Sequence, residues 1–192
     1  MEITLRALIT EVHGMLFGAF FQMAVYSLVV ELRHSAFVEQ PPKLTPQGYA
    51  RERLYLICMV GLGWAAVLTG AYLIYPWYRA VPPAGLTDLS EYPRTLLLSS
   101  GKTSEWHNIG MEWKEHVAWL APMAITMVAY VTMKYGRSLT RPRQLRKAVL
   151  GFALAAFVAT GVAGAFGAFL NKYAPVRGGS TIVLIGGGGA GE

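Results

Sequence analysis

The sequence predicts an all-α fold, an integral membrane four-helix bundle, on three observations. Charged residues make up only 15% of the chain and apolar residues 54%, whereas a soluble domain carries about a quarter charged. Charges are missing altogether from four blocks, 12–30, 54–78, 117–133 and 148–171. Each block has the roughly 17–25 residues that a helix needs to cross a hydrocarbon core about 30 Å thick. None shows the period-2 alternation of a barrel strand, and all are far longer than one.

The elements follow in chain order. A first helix is expected over about 8–32, with His13 and Gln22 the strongly polar groups of its charge-free block. Its apolar stretch is longer than the core of a signal peptide. Glu2 stands with Arg6 before it and no small-x-small cleavage site follows, so it reads as a retained span. Pro41, Pro42 and Pro46 predict an extended loop over 35–53. The second helix, about 53–78, holds the single cysteine, Cys58, an inert thiol with no partner for an intrachain disulfide. Pro82, Pro83, Gly85 and Pro93 punctuate the 79–103 connection, where Tyr92 to Leu98 suits a short interfacial segment. The third helix, about 104–134, is expected to start on Ser104 as N-cap, to carry Glu105 in its first turn and to bend at Pro122. The fourth covers about 147–171. Residues 1–177 thus form one transmembrane domain. The glycine-rich tail 178–192, around Thr181 to Ile185, is expected to be disordered or to add an extended segment to a partner.

Charge sets the expected orientation. The loops after the first and third helices, with their flanks, hold ten cations: Arg33, Lys43, Arg51, Arg53, Lys134, Arg137, Arg141, Arg143, Arg146 and Lys147. Three acids oppose them, Glu31, Glu39 and Glu52. The other side carries seven cations and eight acids. Basic loops stay cytoplasmic, so both termini and the 79–103 connection are expected on the extracytoplasmic side of an inner (plasma) membrane. Trp77, Tyr78, Trp106, Trp113 and Trp119 fall on that side, at head-group level. The net charge of +6 is accounted for by topology and lipid contact, with no nucleic-acid partner required.

Two glycine motifs are false alarms. Ser100-Gly-Lys-Thr103 resembles the end of a phosphate loop, but Leu96 stands where that loop needs its first glycine. The run 186–189 is followed by neither lysine nor helix.

Chemistry rests on the histidines: His13, His34, His107 and His116. An ionisable group at membrane depth is a functional hypothesis by default. His13 and His116 lie just inside the outer ends of the first and third helices, at similar depth, and two imidazoles from two helices suit bis-histidine haem ligation. Gly14 and Gly18 would let a flat ring approach, and Phe17, Phe20 and Phe21 would wall it. Gly161, Gly164 and Gly167 offer the same on the fourth helix, and Gly70 and Tyr75 on the second. Arg79, Lys114 and Lys172 are candidate partners for haem propionates. His34 stands 21 residues from His13, about 31 Å of helix, with no second inner histidine. His107 and His116 are nine apart, on opposite faces of an α-helix. One haem b is the most that histidines alone ligate here.

Blander readings stand beside this one. His34 and His107 read as interfacial residues, His13 and His116 as hydrogen-bonding groups between helices, and the glycines as close-packing positions. Glu112 and His116, four apart, share a helical face and Glu11 lies near His13, a weaker non-haem metal alternative; His107 and Glu112 are the lesser metal candidates. Glu112 and Glu115 flanking Lys114 also read as solvated charge. No nucleophilic triad, acid–base pair or thiolate cluster emerges, which favours an electron-transfer or accessory subunit over a catalyst.

The stretch Trp106-His-Asn-Ile-Gly-Met-Glu-Trp-Lys-Glu-His116, with His13, resembles the small four-helix membrane b-type cytochromes. The resemblance covers the bundle plan and the histidine placement, and departs from the two-haem pattern. It implies a low-spin haem with His13 and His116 as axial ligands, passing electrons near the outer face within a larger redox complex, to or from a cytochrome c or quinol. The alternative is a cofactor-free structural subunit of a respiratory or photosynthetic complex.

Overall fold

The computed structural model describes residues 2–37, 45–135 and 143–183. The expectations placed on Pro41, Pro42, the cations between 136 and 142, and the tail beyond 183 lie outside them. Four helices are long and apolar enough to cross a membrane: Leu5–His34, Pro46–Tyr78, Trp106–Tyr135 and Gln144–Tyr173. They form a ring in which the first packs on the second and fourth, and the third does the same. First and third therefore face each other across the diagonal.

The interior is built from one stripe of each helix. Phe21, Val25, Leu28 and Leu32 of the first meet Leu56 and Met59 of the second, Ile125, Val128 and Ala129 of the third, and Ala153, Ala156 and Ala159 of the fourth. These spacings of three and four keep side chains on one helical face. Alanines on the fourth helix let its backbone approach closely, the usual source of packing where lipid removes the hydrophobic drive. No more than 33% of any span's most apolar window is buried within the chain. The outward apolar side chains, Met15, Phe20, Met23, Ile57, Tyr72, Leu120 and Phe152 among them, suit a lipid surround. Polar links also join the helices in mid-bundle: Tyr55 donates its hydroxyl to the Ala24 carbonyl, Trp64 its indole N–H to Thr126 Oγ1 at 3.0 Å, and Gln22 Nε2 to the Phe157 carbonyl at 3.2 Å. Tyr55→Phe should cost roughly 0.6–1.7 kcal/mol, the range of such bonds in membrane bundles, read from unfolding in detergent; no loss would mean the hydroxyl is satisfied elsewhere.

Three local details differ from the expectations. The 35–53 loop is not extended throughout, because Thr45 accepts from Gly48 N and Pro46 takes the first helical position, where its fixed φ is already helical. Ser104 does not cap the third helix: its hydroxyl donates to the Gly101 carbonyl. The tail is not free where it is described, since Thr181–Val183 pairs antiparallel with Glu2–Thr4. That pairing joins the two chain ends at one end of the bundle. It continues as Leu5 N–H to Ser180 O and Arg6 N–H to Gly178 O, which satisfies amides that a helix start leaves orphaned. Gly178 and Gly179 have φ of 98° and 82°, open to glycine at little cost. Truncation after Arg177 should speed hydrogen exchange at Leu5 and Arg6 and leave the Phe21 core protected; unchanged exchange would show that the strand contributes no cap.

Tyr92 to Leu98 contains a short helix, Pro93–Leu98, with Pro93 and Leu97 buried. Pro122 has the expected local effect. It cannot donate to the Ala118 carbonyl, and the third helix opens into a turn at 118–119 with Ala121 N–H bonded there instead.

Candidate functional site at the histidine-bearing end of the bundle

Helical hydrogen bonding changes character at one end of the bundle. Val12–Ala19, Gly70–Ile74, Trp106–Met111 and Trp113–Val117 are π-helical, on three different spans. Such segments are rare and recur at functional sites, because the extra residue per turn re-aims side chains. This is the end that carries His13, His107, Lys114 and His116.

His13 turns towards the second span. Its Nδ1 lies 3.1 Å from Thr69 Oγ1, and that hydroxyl spends its only proton on the Ala65 carbonyl at 2.6 Å. A proton on Nδ1 would be accepted by Thr69, and the ring also meets the Ala66 carbonyl, so the second span offers the imidazole N–H a fixed acceptor. Gly70 makes room for the ring: a Cβ there would stand 2.9 Å from His13 Cε1. Gly14 is exposed with open space around it, while Gly18 lies 3.4 Å from the His13 carbonyl oxygen as measured from its own Cβ position.

The third span puts Lys114, not His116, towards the bundle interior. Lys114 Nζ donates to the Ala163 carbonyl at 3.4 Å and would touch a Cβ on Gly167 at 3.0 Å. Trp113 donates to Ala159 O, and Trp106 stacks on Phe169 with centroids 4.6 Å apart. Lys114 is thus removed from the solvated surface that its acidic neighbours suggested. His116 Nδ1–H donates to the Glu112 carbonyl at 3.0 Å, and its ring is 70% exposed beside the Glu112 carboxylate. Both lie on a stripe with Ile109, Leu120, Met123 and Tyr130 that faces away from the other helices.

A second polar group closes the same end. Tyr78, 4% exposed, hydrogen-bonds through its hydroxyl to His107 Nδ1 at 2.7 Å. Arg79 Nη1 donates to Tyr75 OH at 2.8 Å, and Arg94, on the short helix, acts electrostatically on both Tyr78 and His107. Sequence reasoning named Arg79 but missed Arg94 and the Tyr78–His107 couple; the only signal for them was their shared side of the membrane. Lys172 is exposed and lies over the Tyr173 ring. His34 is exposed at the opposite end. Among the described residues no three His, Cys, Asp or Glu side chains gather as a metal-binding group.

Fold and composition point to a class, the multi-pass helical membrane proteins, with an irregular polar end. No family model, curated protein or solved structure matches the chain, so the site's own chemistry carries the functional argument.

Proposed function

We propose that this chain is a membrane-embedded b-type haem subunit, passing electrons near the extracytoplasmic face of a larger redox complex. The observation that supports this most is the state of His13. Histidines that ligate metals commonly donate their second ring N–H to a fixed acceptor, which sets the tautomer and raises ligand basicity. His13 has that arrangement through Thr69, in a stretch where three spans turn π-helical together. His13 would hold the iron through Nε2, and a bound haem would supply reversible one-electron chemistry. The sequence resemblance implies His116 as the second ligand, but its ring faces away from the other helices while His13 turns to the second span, so in this arrangement the two would not share one iron. The Nδ1–H of His116 is spent on Glu112 O, which leaves its Nε2 available, on a ring that faces outward. The basic loops at the other end support the extracytoplasmic assignment.

A second reading, a cofactor-free accessory subunit, is favoured by the outward Glu112–His116 pair. Two ionisable side chains, 65% and 70% exposed on an apolar stripe, are costly against lipid and suit cover by a neighbouring chain. A non-haem metal enzyme would need donors beyond this pair. Reduced-minus-oxidised spectra with a pyridine haemochrome assay separate the readings. The haem reading expects one haem b per chain, lost in His13→Ala. A colourless, well-folded preparation would reject the haem and leave the accessory subunit.

A further inference from the structure

We propose that Arg79, Arg94 and the Tyr78–His107 couple form a binding site for one carboxylate or phosphate group where the bundle meets water. The first support is an orphan: Arg94 Nε is buried with no hydrogen-bond partner, although buried donors are nearly always satisfied. A guanidinium with an unspent N–H calls for an anionic acceptor, which it binds through charge-assisted bonds. The second support is the charge balance. Arg79 is engaged by Tyr75 OH, and Glu115, a nearby acid, reaches the same tyrosine. Two guanidinium charges thus face two carboxylates, Glu112 and Glu115, around His107. Lys114, one residue from Glu115, adds another cation on the interior side, bonded only to a carbonyl among its described partners.

The third support is construction. Pro93 and Leu97, the buried residues of the short helix, hold Arg94 against the adjoining ends of the second and third spans. Tyr78 and Leu97 belong to one apolar cluster with Met111 and Leu170. The 2.7 Å bond to His107 then fixes the Tyr78 hydroxyl, within electrostatic reach of Arg94. Aromatic walls, a fixed hydroxyl and an unspent guanidinium make a site for an anion held at one edge by protein and open to water at the other.

Two sources supply this chemistry: a propionate of the haem, which rests on the reading above, and the phosphate of an anionic lipid. Three proteins decide between them: wild type, Arg94→Gln and Arg94→Lys. If the purified protein carries haem, redox titration over a range of pH should give a lower and more pH-dependent midpoint in Arg94→Gln, with Arg94→Lys between the two. If it is colourless, native mass spectrometry with short-chain phosphatidylglycerol should show about one lipid retained by wild type and at least a tenfold loss in Arg94→Gln. Phosphatidylcholine of the same chain length should bind neither protein preferentially. A purely structural arginine would lower thermal stability without moving the midpoint or the lipid preference. Arg94→Gln matching wild type in both assays overturns the site, and a colourless protein that still loses lipid in Arg94→Gln rejects the haem alone.

Discussion

On the haem reading, His13→Ala should abolish the reduced α-band of the purified protein while leaving its helical content unchanged. The alanine removes the imidazole that lies between the first and second spans against Thr69. Thr69→Val is the sharper companion, because it leaves the ring in place and deletes only the acceptor of its Nδ1–H. Loss of such an outer partner lowers metal affinity by roughly 10–100-fold, so haem should be retained on purification but lost on dilution or mild heating. Full haem content in His13→Ala would remove this residue from the site altogether. Equal retention in Thr69→Val and wild type would show that the Thr69 bond does not tune the ring.

Gly63→Leu should be among the most damaging single substitutions in the bundle. A Cβ at Gly63 would lie 2.8 Å from Phe21 Cε2 and 3.0 Å from Cζ, and Phe21 is 1% exposed within the main core. The ring has no free volume to retreat into, since Val25, Met59 and Ile125 belong to the same buried cluster. Overpacking of a tight core costs about 1–3 kcal/mol, more when backbone must shift, and here it would pry the first and second spans apart. Gly63→Ala should cost less. Combining it with Phe21→Leu should recover part of the loss, the coupling expected of residues in direct contact. If the two substitutions added independently in a detergent unfolding series, this contact would not hold the spans together.

The contrast between the histidines shows where sequence reasoning lost its grip. Faces were assigned along α-helices, with His13 and His116 at equal depth and Lys114 among solvated acids. Each π turn inserts one residue per turn and so rotates the following side chains by about 100° relative to an α-helix. With Trp106–Met111 and Trp113–Val117 both π-helical, Lys114 comes to face the fourth span and His116 faces outward. No periodicity in the sequence announces that change, because π turns are decided by how neighbouring helices pack. The strand pairing of 2–4 with 181–183 was hidden for a similar reason: each half is three residues long and meaningless without the other. Arg94 likewise looked like any loop cation until the short helix set it against Tyr78 and His107.

The sequence by itself determined four apolar helices, the crowding of basic residues into two loops and a short element around Pro93, because these follow from local hydrophobicity, charge and proline chemistry. Only the tertiary structure decided which polar groups turn inward, that Thr69 meets the Nδ1 of His13, and that the two chain ends cap the first helix. Those depend on distances between residues 56 to 181 positions apart, which local chemistry does not encode and the packing of the ring of helices does.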